Sequence, residues 1–309
     1  MSLASRRDFL EVWLPNRALL LVILWIGLFA TFSCGGGGTK QNPVAPGLPT
    51  FTHVAVVVLE NHSFSQVIGN GDMPYLNSLA QQYGLAKQYY ANAHPSLPNY
   101  FMLSTGQKET TSDEFSGVVS DDNVVRELVK AGKSWKCYAE SLPSAAYMGP
   151  DAYPYLRQHN PFSYLSDVQK DSSQMANVVP FSDFASDLAN HKLPQYSFIV
   201  PNVLDDGHDG SLAQADTWLQ QNIAPLIADS DFQAGGLLIV TFDEGDQSDV
   251  LNGGGQVATV IVSTKAKTNY VSQTLFQHQS TLRLLLAASG VSVFPGAAAM
   301  APDMNEFFQ

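Results

Sequence analysis

The run Val54-Ala55-Val56-Val57-Val58-Leu59 constrains the fold more than any other stretch of the chain. It is continuous, rich in β-branched residues and shows no polar alternation, as expected of a strand covered on both faces. Three further runs share this character: Gln195–Val200, Gly236–Phe242 and Gln256–Ser263, with a weaker strand near Ser134–Ala139. Helical spacing separates them. Met73, Leu76, Leu79, Ala80 and Tyr83 fall on one face of a helix, and helices are predicted at Asn123–Ala131, from Leu212 to about Ile227, and at Gln279–Ala288. Strands alternating with helices predict an α/β fold. Its form is a three-layer sandwich, a mostly parallel central sheet flanked by helices.

Polar clusters follow three of these strands directly. Glu60-Asn61-His62 comes after Leu59, Pro201 to Asp209 after Val200, and Asp243-Glu244-Gly245-Asp246 after Phe242. In a parallel sheet the three ends share the edge where α/β proteins bind ligands, so Glu60 and Asp243 should meet despite their distance in sequence. Glu60, Asn61, Asp243 and Glu244 form an oxygen-rich set that repels itself without a cation. One divalent ion is expected, Ca²⁺, Mg²⁺ or Mn²⁺ by hardness, with Zn²⁺ open because histidines are near. Taken singly, each carboxylate reads better as a helix cap or a solvated group. Convergence of three clusters favours the metal site. Glu140, after the strand at Ser134–Ala139, either lines the same pocket or caps a helix.

In Ala93-His94-Pro95-Ser96-Leu97-Pro98-Asn99-Tyr100 two prolines flank a serine and predict a helix starting around Pro98. A serine at a helix N-terminus beside a cation can act as a nucleophile, although a lone serine is more often a turn or capping residue. His53, His159 and His191 read as structural, and His62 adjoins Glu60-Asn61 without a clear direction.

The first 33 residues read as an export signal. Ser5-Arg6-Arg7-Asp8-Phe9-Leu10 matches a twin-arginine signature, and the apolar run Ala18–Phe32, at 15 residues, is shorter than the ~20 a bilayer span needs. Ser33-Cys34 before four glycines matches a lipoprotein cleavage site, which would lipidate Cys34; an uncleaved anchor or cleavage elsewhere are the alternatives. Residues 34–50 form a linker and 51–309 the catalytic domain, within which the aromatic-rich segment 107–175 is either a cap or core. The chain is therefore expected in the periplasm or cell envelope, touching membrane only through its N-terminal anchor. Cys137 reads as a buried free thiol. With 28 acidic against 16 basic side chains, a net charge of −12 excludes broad nucleic-acid binding.

The stretches HVAVVVLENHSF (53–64), AHPSLPNYFMLSTG (93–106) and LLIVTFDEGD (237–246), with weaker matches at 201–219 and 276–290, resemble the bacterial and fungal phosphoesterase family. That family holds metal-dependent acid phosphatases and phosphatidylcholine-type phospholipases C. The resemblance implies an alkaline-phosphatase-like fold and a hydrolase acting on phosphoric esters. It makes Glu60, Asn61, Ser96, Asp243 and Glu244 the metal ligands and Ser96 the nucleophile. His208, His278 and His94 become candidates for proton transfer, and His208, His278, Asn99 and Glu140 for substrate binding. Asn202, Asp206 and Asp209 rank below them. The implied substrate is a phosphate ester, most simply a monoester as for an acid phosphatase. A phospholipase C or phosphodiesterase is the alternative, and a non-catalytic binding lipoprotein the third reading.

Overall fold

The computed structural model describes residues 47–309. The predicted export signal, Cys34 and most of the predicted linker lie outside the described residues. Ten strands follow in chain order: β1 His53–Leu59, β2 Gly84–Ala86, β3 Tyr89–Tyr90, β4 Trp135–Ala139, β5 Val178–Pro180, β6 Tyr196–Val200, β7 Gly236–Phe242, β8 Thr259–Val262, β9 Tyr270–Ser272 and β10 Phe276–Gln277. Eight form one sheet in the order β5-β4-β6-β1-β7-β8-β2-β9, and β10 pairs with β3. Only β8 opposes its neighbours, pairing antiparallel with β7 and β2. The fold is the predicted α/β sandwich.

β1 sits at the centre because its sequence permits nothing else. Val54 to Leu59 are all buried, and such a strand is stable only with partners on both edges and helices on both faces. Helix Pro74–Gln82 packs on helix Leu212–Ala228, and helix His278–Ala288 packs on Ser96–Ser104 and Val124–Lys130. Leu76, Leu79 and Ala80 turn inward as the helical spacing predicts. The segment 107–175 contributes β4 to the main sheet, and Trp135, Tyr138, Tyr155, Phe162 and Tyr164 lie in the core. These aromatics therefore build the domain, while Tyr153 projects into solvent. Cys137 is a buried free thiol. Among the described residues no helix is long and apolar enough to cross a membrane.

Register places the site. β1 pairs in parallel with both β6 and β7, and Leu59 stands opposite Phe242, so Glu60 and Asp243 leave the sheet side by side. Asp243 N donates to Leu59 O at 2.9 Å and Glu60 N to Asp206 O at 3.0 Å, which ties the three strand ends together. The turn carrying Asp206 and His208 passes through Gly207 at φ +98°, a backbone region that side chains disfavour. The segment carrying Ser96 is pressed closer still. A Cβ on Gly254 would lie 2.3 Å from Ala93 O, so only glycine lets the 246–255 loop brace the turn before Ser96.

Candidate active site

Ser96 is the first residue of the buried helix Ser96–Ser104, which starts two residues before the predicted Pro98. Asn99 locks the turn that feeds it. Its Oδ1 accepts from Asn92 N at 3.0 Å and Ala93 N at 3.1 Å, and its Nδ2 donates to Ala93 O at 2.8 Å. Nδ2 also reaches Pro95 O at 3.3 Å and Glu244 Oε2 at 3.4 Å, so the Asn99 amide is spent on holding the turn before Ser96 and has little left for substrate.

Ser96 Oγ donates to Glu60 Oε2 at 3.1 Å and lies 3.4 Å from Asn61 Oδ1. Asn61 holds φ +54°, which asparagine tolerates better than most residues, and its N–H donates to Asp243 Oδ1 at 3.2 Å. The Asn61 amide can also turn its nitrogen inward, reaching Glu60 Oε2 at 3.3 Å and Glu244 Oε1 at 3.1 Å. That position is therefore ringed by oxygens from Glu60, Glu244 and Ser96. A cation there would be met by Asn61 Oδ1, and without one only the amide nitrogen relieves the repulsion.

Glu60, Asp206, Asp243 and Glu244 are all essentially inaccessible to solvent. Burial, then Asp243, Asp206 and Glu244, hold the Glu60 carboxyl well above its ordinary range, while the Tyr100 hydroxyl that donates to Oε1 opposes this. Burial also raises Asp243, against the pull of His159. Glu244 is pushed up to about 10 by burial, with Asp243 and Asp113 adding to it. Asp243 Oδ2 has no hydrogen-bond partner. Carboxylates crowded in this way are costly unless a positive charge joins them.

Glu60, His159 and Asp206 form a set of possible metal ligands, with candidate ligand atoms within 4.8 Å of one another. His159 Nε2 is 3.5 Å from Glu60 Oε1 and its Nδ1 is 3.3 Å from Asp206 Oδ2. Both contacts are long, leaving Nε2 and Asp206 Oδ2 short of a proper bond. The ring stacks on Tyr100 with centroids 5.3 Å apart. Sequence reading assigned His159 to a polar loop and ranked Asp206 second. Both belong to the cluster, and only Asp206 carried a signal, its place after a buried strand.

The other histidines separate by their surroundings. His278 is fully buried, with Nε2 2.5 Å from Asp243 O and Nδ1 3.1 Å from the Tyr89 hydroxyl. A carbonyl only accepts, so Nε2 carries the hydrogen and Nδ1 receives the tyrosine proton. Burial lowers its pKa to about 4. His278 is a neutral strut behind Asp243, which corrects both its proton-donor and its substrate-binding expectations. His278→Gln is expected to lower the melting temperature by several degrees and leave the pH dependence of turnover unmoved; loss of one limb of that profile would contradict the assignment. His94 bridges Glu244 Oε2, at 3.0 Å from Nδ1 but off the line of a good bond, and Asp249 O, at 2.9 Å from Nε2. It holds the acidic pair against the 246–255 loop, a positioning place rather than a proton-transfer one. His62 Nδ1 turns to Glu60 O at 2.9 Å.

His208 is exposed to solvent beside the cluster, its side chain 33% accessible against 20% for His94. Its Nδ1 lies 2.8 Å from Asp209 Oδ1, and its ring centroid is 6.0 Å from that of His159. Glu140 is engaged elsewhere: Oε1 accepts from Trp218 Nε1 at 3.0 Å and Oε2 from Asn202 N at 3.0 Å. It is a structural anchor for the β6 loop, not a pocket ligand.

Raised carboxyls carry a stability consequence. Folded Glu244 keeps its proton where the unfolded chain has lost it, so the unfolded state binds fewer protons and stability falls as pH rises from 4.5 toward about 10. Across roughly pH 6.5 to 9, above the His278 titration, one such group costs on the order of 3 kcal/mol. Chelator-treated protein should therefore melt lower at the alkaline end of that window, and divalent metal should remove most of the slope. A melting temperature that climbs with pH in chelator would refute this.

A buried helix-borne serine faces carboxylates at the carboxyl edge of a mostly parallel sheet, an arrangement suited to hydrolysis, and the fold is shared with proteins of the alkaline-phosphatase superfamily. Solved structures agree on the fold. A Vibrio parahaemolyticus protein of that superfamily aligns with TM-score 0.56 at 12% identity, covering 82% of this chain and 69% of its own. A phosphonate monoester hydrolase from Silicibacter pomeroyi aligns with TM-score 0.54 at 13% identity, over 83% and 76%. Residues 70–292 match the phosphoesterase family, and the chain belongs to it. A phosphatidylinositol-3-phosphatase of Mycobacterium tuberculosis is 34% identical over 297 residues, 94% of each protein. An acid phosphatase of Aspergillus niger is 30% identical over 246 residues, 75% of this chain and 58% of that enzyme. A probable acid phosphatase of Kluyveromyces lactis is 32% identical over 71% of this chain and 55% of its own. The chain thus spans little more than half the length of these fungal relatives. It is a hydrolase acting on phosphoric ester bonds.

Proposed function

We propose that the protein is an exported, metal-dependent phosphomonoesterase that works through a phosphoserine on Ser96. The hydrogen bond from Ser96 Oγ to Glu60 Oε2, 3.1 Å long and closed off from solvent, carries this reading. It pairs a hydroxyl with a carboxylate that burial and its neighbours make unusually basic. Glu60, Asn61, Ser96, Asp243 and Glu244 would hold the divalent ion, with His159 and Asp206 closing the set on the Glu60 side. The unpartnered Asp243 Oδ2 and the oxygen ring around the Asn61 amide fit such an ion. Mostly oxygen donors favour Ca²⁺, Mg²⁺ or Mn²⁺, and His159 keeps Zn²⁺ in play. Bound there, the ion would supply positive charge to offset the clustered carboxylates.

Ser96 Oγ attacks phosphorus while its proton passes to Glu60, and the bond from phosphorus to the leaving oxygen breaks. His208, fixed by its Nδ1–H donating to Asp209, would give that oxygen a proton from Nε2. Water then attacks phosphorus, releasing phosphate and restoring the Ser96 hydroxyl. The relatives named above are phosphatases, which supports a monoester over the diester of a phospholipase C. One of them acts, by its name, on a phosphoinositide, so both soluble esters and lipid headgroups belong in the test.

Hydrolysis of p-nitrophenyl phosphate, p-nitrophenyl phosphorylcholine and phosphatidylinositol 3-phosphate should be compared with and without chelator. Metal-dependent turnover of the monoesters alone supports the proposal. A preference for the choline diester would make the protein a phospholipase C, and phosphate binding without turnover a binding lipoprotein. Activity recovered from the cytoplasmic fraction of the source cells, rather than from their envelope, would sink the export reading.

A further inference from the structure

Tyr100 follows Ser96 by one turn of the helix Ser96–Ser104, so the two hydroxyls leave the same helical face. Both reach the Glu60 carboxyl, and they take different oxygens. Ser96 Oγ donates to Oε2 at 3.1 Å and the Tyr100 hydroxyl donates to Oε1. All three side chains are closed off from solvent. The Glu60 backbone is held as well, its N–H donating to Asp206 O at 3.0 Å and its carbonyl lying 2.9 Å from His62 Nδ1. What stays soft in a glutamate fixed at its backbone is the terminal torsion, which is broad and roughly two-fold. One hydrogen bond leaves the carboxyl plane able to turn about that contact, whereas two bonds from one helix fix it. The Tyr100 ring cannot follow a moving carboxyl. It stacks on His159 with centroids 5.3 Å apart and an interplanar angle of 11°, and it meets Phe198 at 6.4 Å. Without the hydroxyl, Oε1 keeps His159 Nε2 at a long 3.5 Å.

We propose that Tyr100 is a positioning residue for Glu60: its hydroxyl anchors Oε1 so that Oε2 faces Ser96 Oγ and the Asn61 amide. The proposal deepens the reading of Glu60 as proton acceptor and metal ligand, and rests on it. A group in either role works only when held within about 0.5 Å of its place. Oxygen Oε2 alone has Ser96 as partner, so a carboxyl free to turn would spend part of its time with no acceptor in line with the serine hydroxyl. Tyr100 removes that freedom without touching substrate. Its ring does a second job in the same place, since the face that lies on His159 keeps that imidazole between Glu60 and Asp206. Hydroxyl and ring can therefore be separated by substitution.

The test compares wild type, Tyr100→Phe, Glu60→Gln and the double variant carrying both changes. Kinetics use p-nitrophenyl phosphate with metal, and calorimetric titration of Mn²⁺ into chelator-stripped protein reads affinity without turnover. Phenylalanine keeps the ring on His159 and removes only the anchoring hydroxyl. It should lower kcat roughly 10- to 100-fold with KM within about twofold, and weaken Mn²⁺ binding about tenfold, the usual worth of a group behind a metal ligand. In the Glu60→Gln background the same change should cost less than about twofold in kcat, because the acceptor it orients is gone. A tyrosine that serves packing alone would lower the melting temperature of Tyr100→Phe and leave kcat and Mn²⁺ affinity unchanged, which overturns the proposal. An equal loss of kcat in both backgrounds overturns it too, since Tyr100 would then act on another group. Should Tyr100→Phe fail to fold, the double variant decides: folding restored by removing the Glu60 carboxyl supports the proposal, and failure of both overturns it. Glu60→Gln turning over within about threefold of wild type would instead remove the reading of Glu60 on which the proposal rests, a result read from that single variant without reference to Tyr100.

Discussion

Ser96→Ala is expected to lower kcat by roughly 10⁴-fold or more, as removal of a nucleophile does in other hydrolases. The side chain is 3% exposed and its one strong partner is Glu60, so the variant loses about 1 kcal/mol of hydrogen bonding and little packing. Fold and metal content should survive, which separates chemistry from collapse. Rapid acid quenching of the wild type with labelled substrate should trap phosphate on Ser96. Turnover within tenfold of wild type in Ser96→Ala would mean that water attacks directly and that the serine serves only as a ligand.

Glu60→Gln should cost about 10²- to 10³-fold in kcat, the usual worth of a general base, and should weaken metal binding as well. Glu60 accepts from Ser96 and Tyr100 and faces His159, so three parts of the site pass through one carboxylate. The same change should raise the melting temperature of chelator-treated protein. It keeps an oxygen for Tyr100 and removes a carboxyl that burial and its acidic neighbours make costly to ionise, an exchange of stability against activity. Calorimetry in chelator and steady-state kinetics with metal test the two halves separately. Activity within threefold of wild type would place the proton acceptor elsewhere. A lower melting temperature in chelator would show that Glu60 is compensated in the metal-stripped protein.

Strong hydrophobic runs were the legible part of this fold. Gly236–Phe242 forms a strand over the residues predicted, and helices at Val124–Lys130 and His278–Ala288 end within a residue or so of expectation. Burial on both faces writes itself as uninterrupted apolar residues, and helical cover writes itself as spacing. The short strands Gly84–Ala86, Val178–Pro180 and Tyr270–Ser272 carry no such mark, because two or three residues at a sheet margin draw their stability from neighbours.

The residues that follow buried strands were legible for a related reason. Once β1, β6 and β7 are parallel, Glu60, Asp206 and Asp243 must emerge on one edge, whatever separates them along the chain. Sequence determined that much, together with Ser96 at a helix start and the family to which these motifs point. It could not rank the histidines. His159, His208, His278 and His94 look alike as letters, and their roles follow from what surrounds each ring: carboxylates, solvent, a backbone carbonyl with a tyrosine, or a carboxylate with a loop. Those surroundings come from segments up to 189 residues away, as Tyr89 and His278 are. Local patterning encodes which residues a strand or helix buries. Only the packed chain decides which polar groups share a cavity, because proton affinity and charge depend on distances that the backbone sets after it has folded.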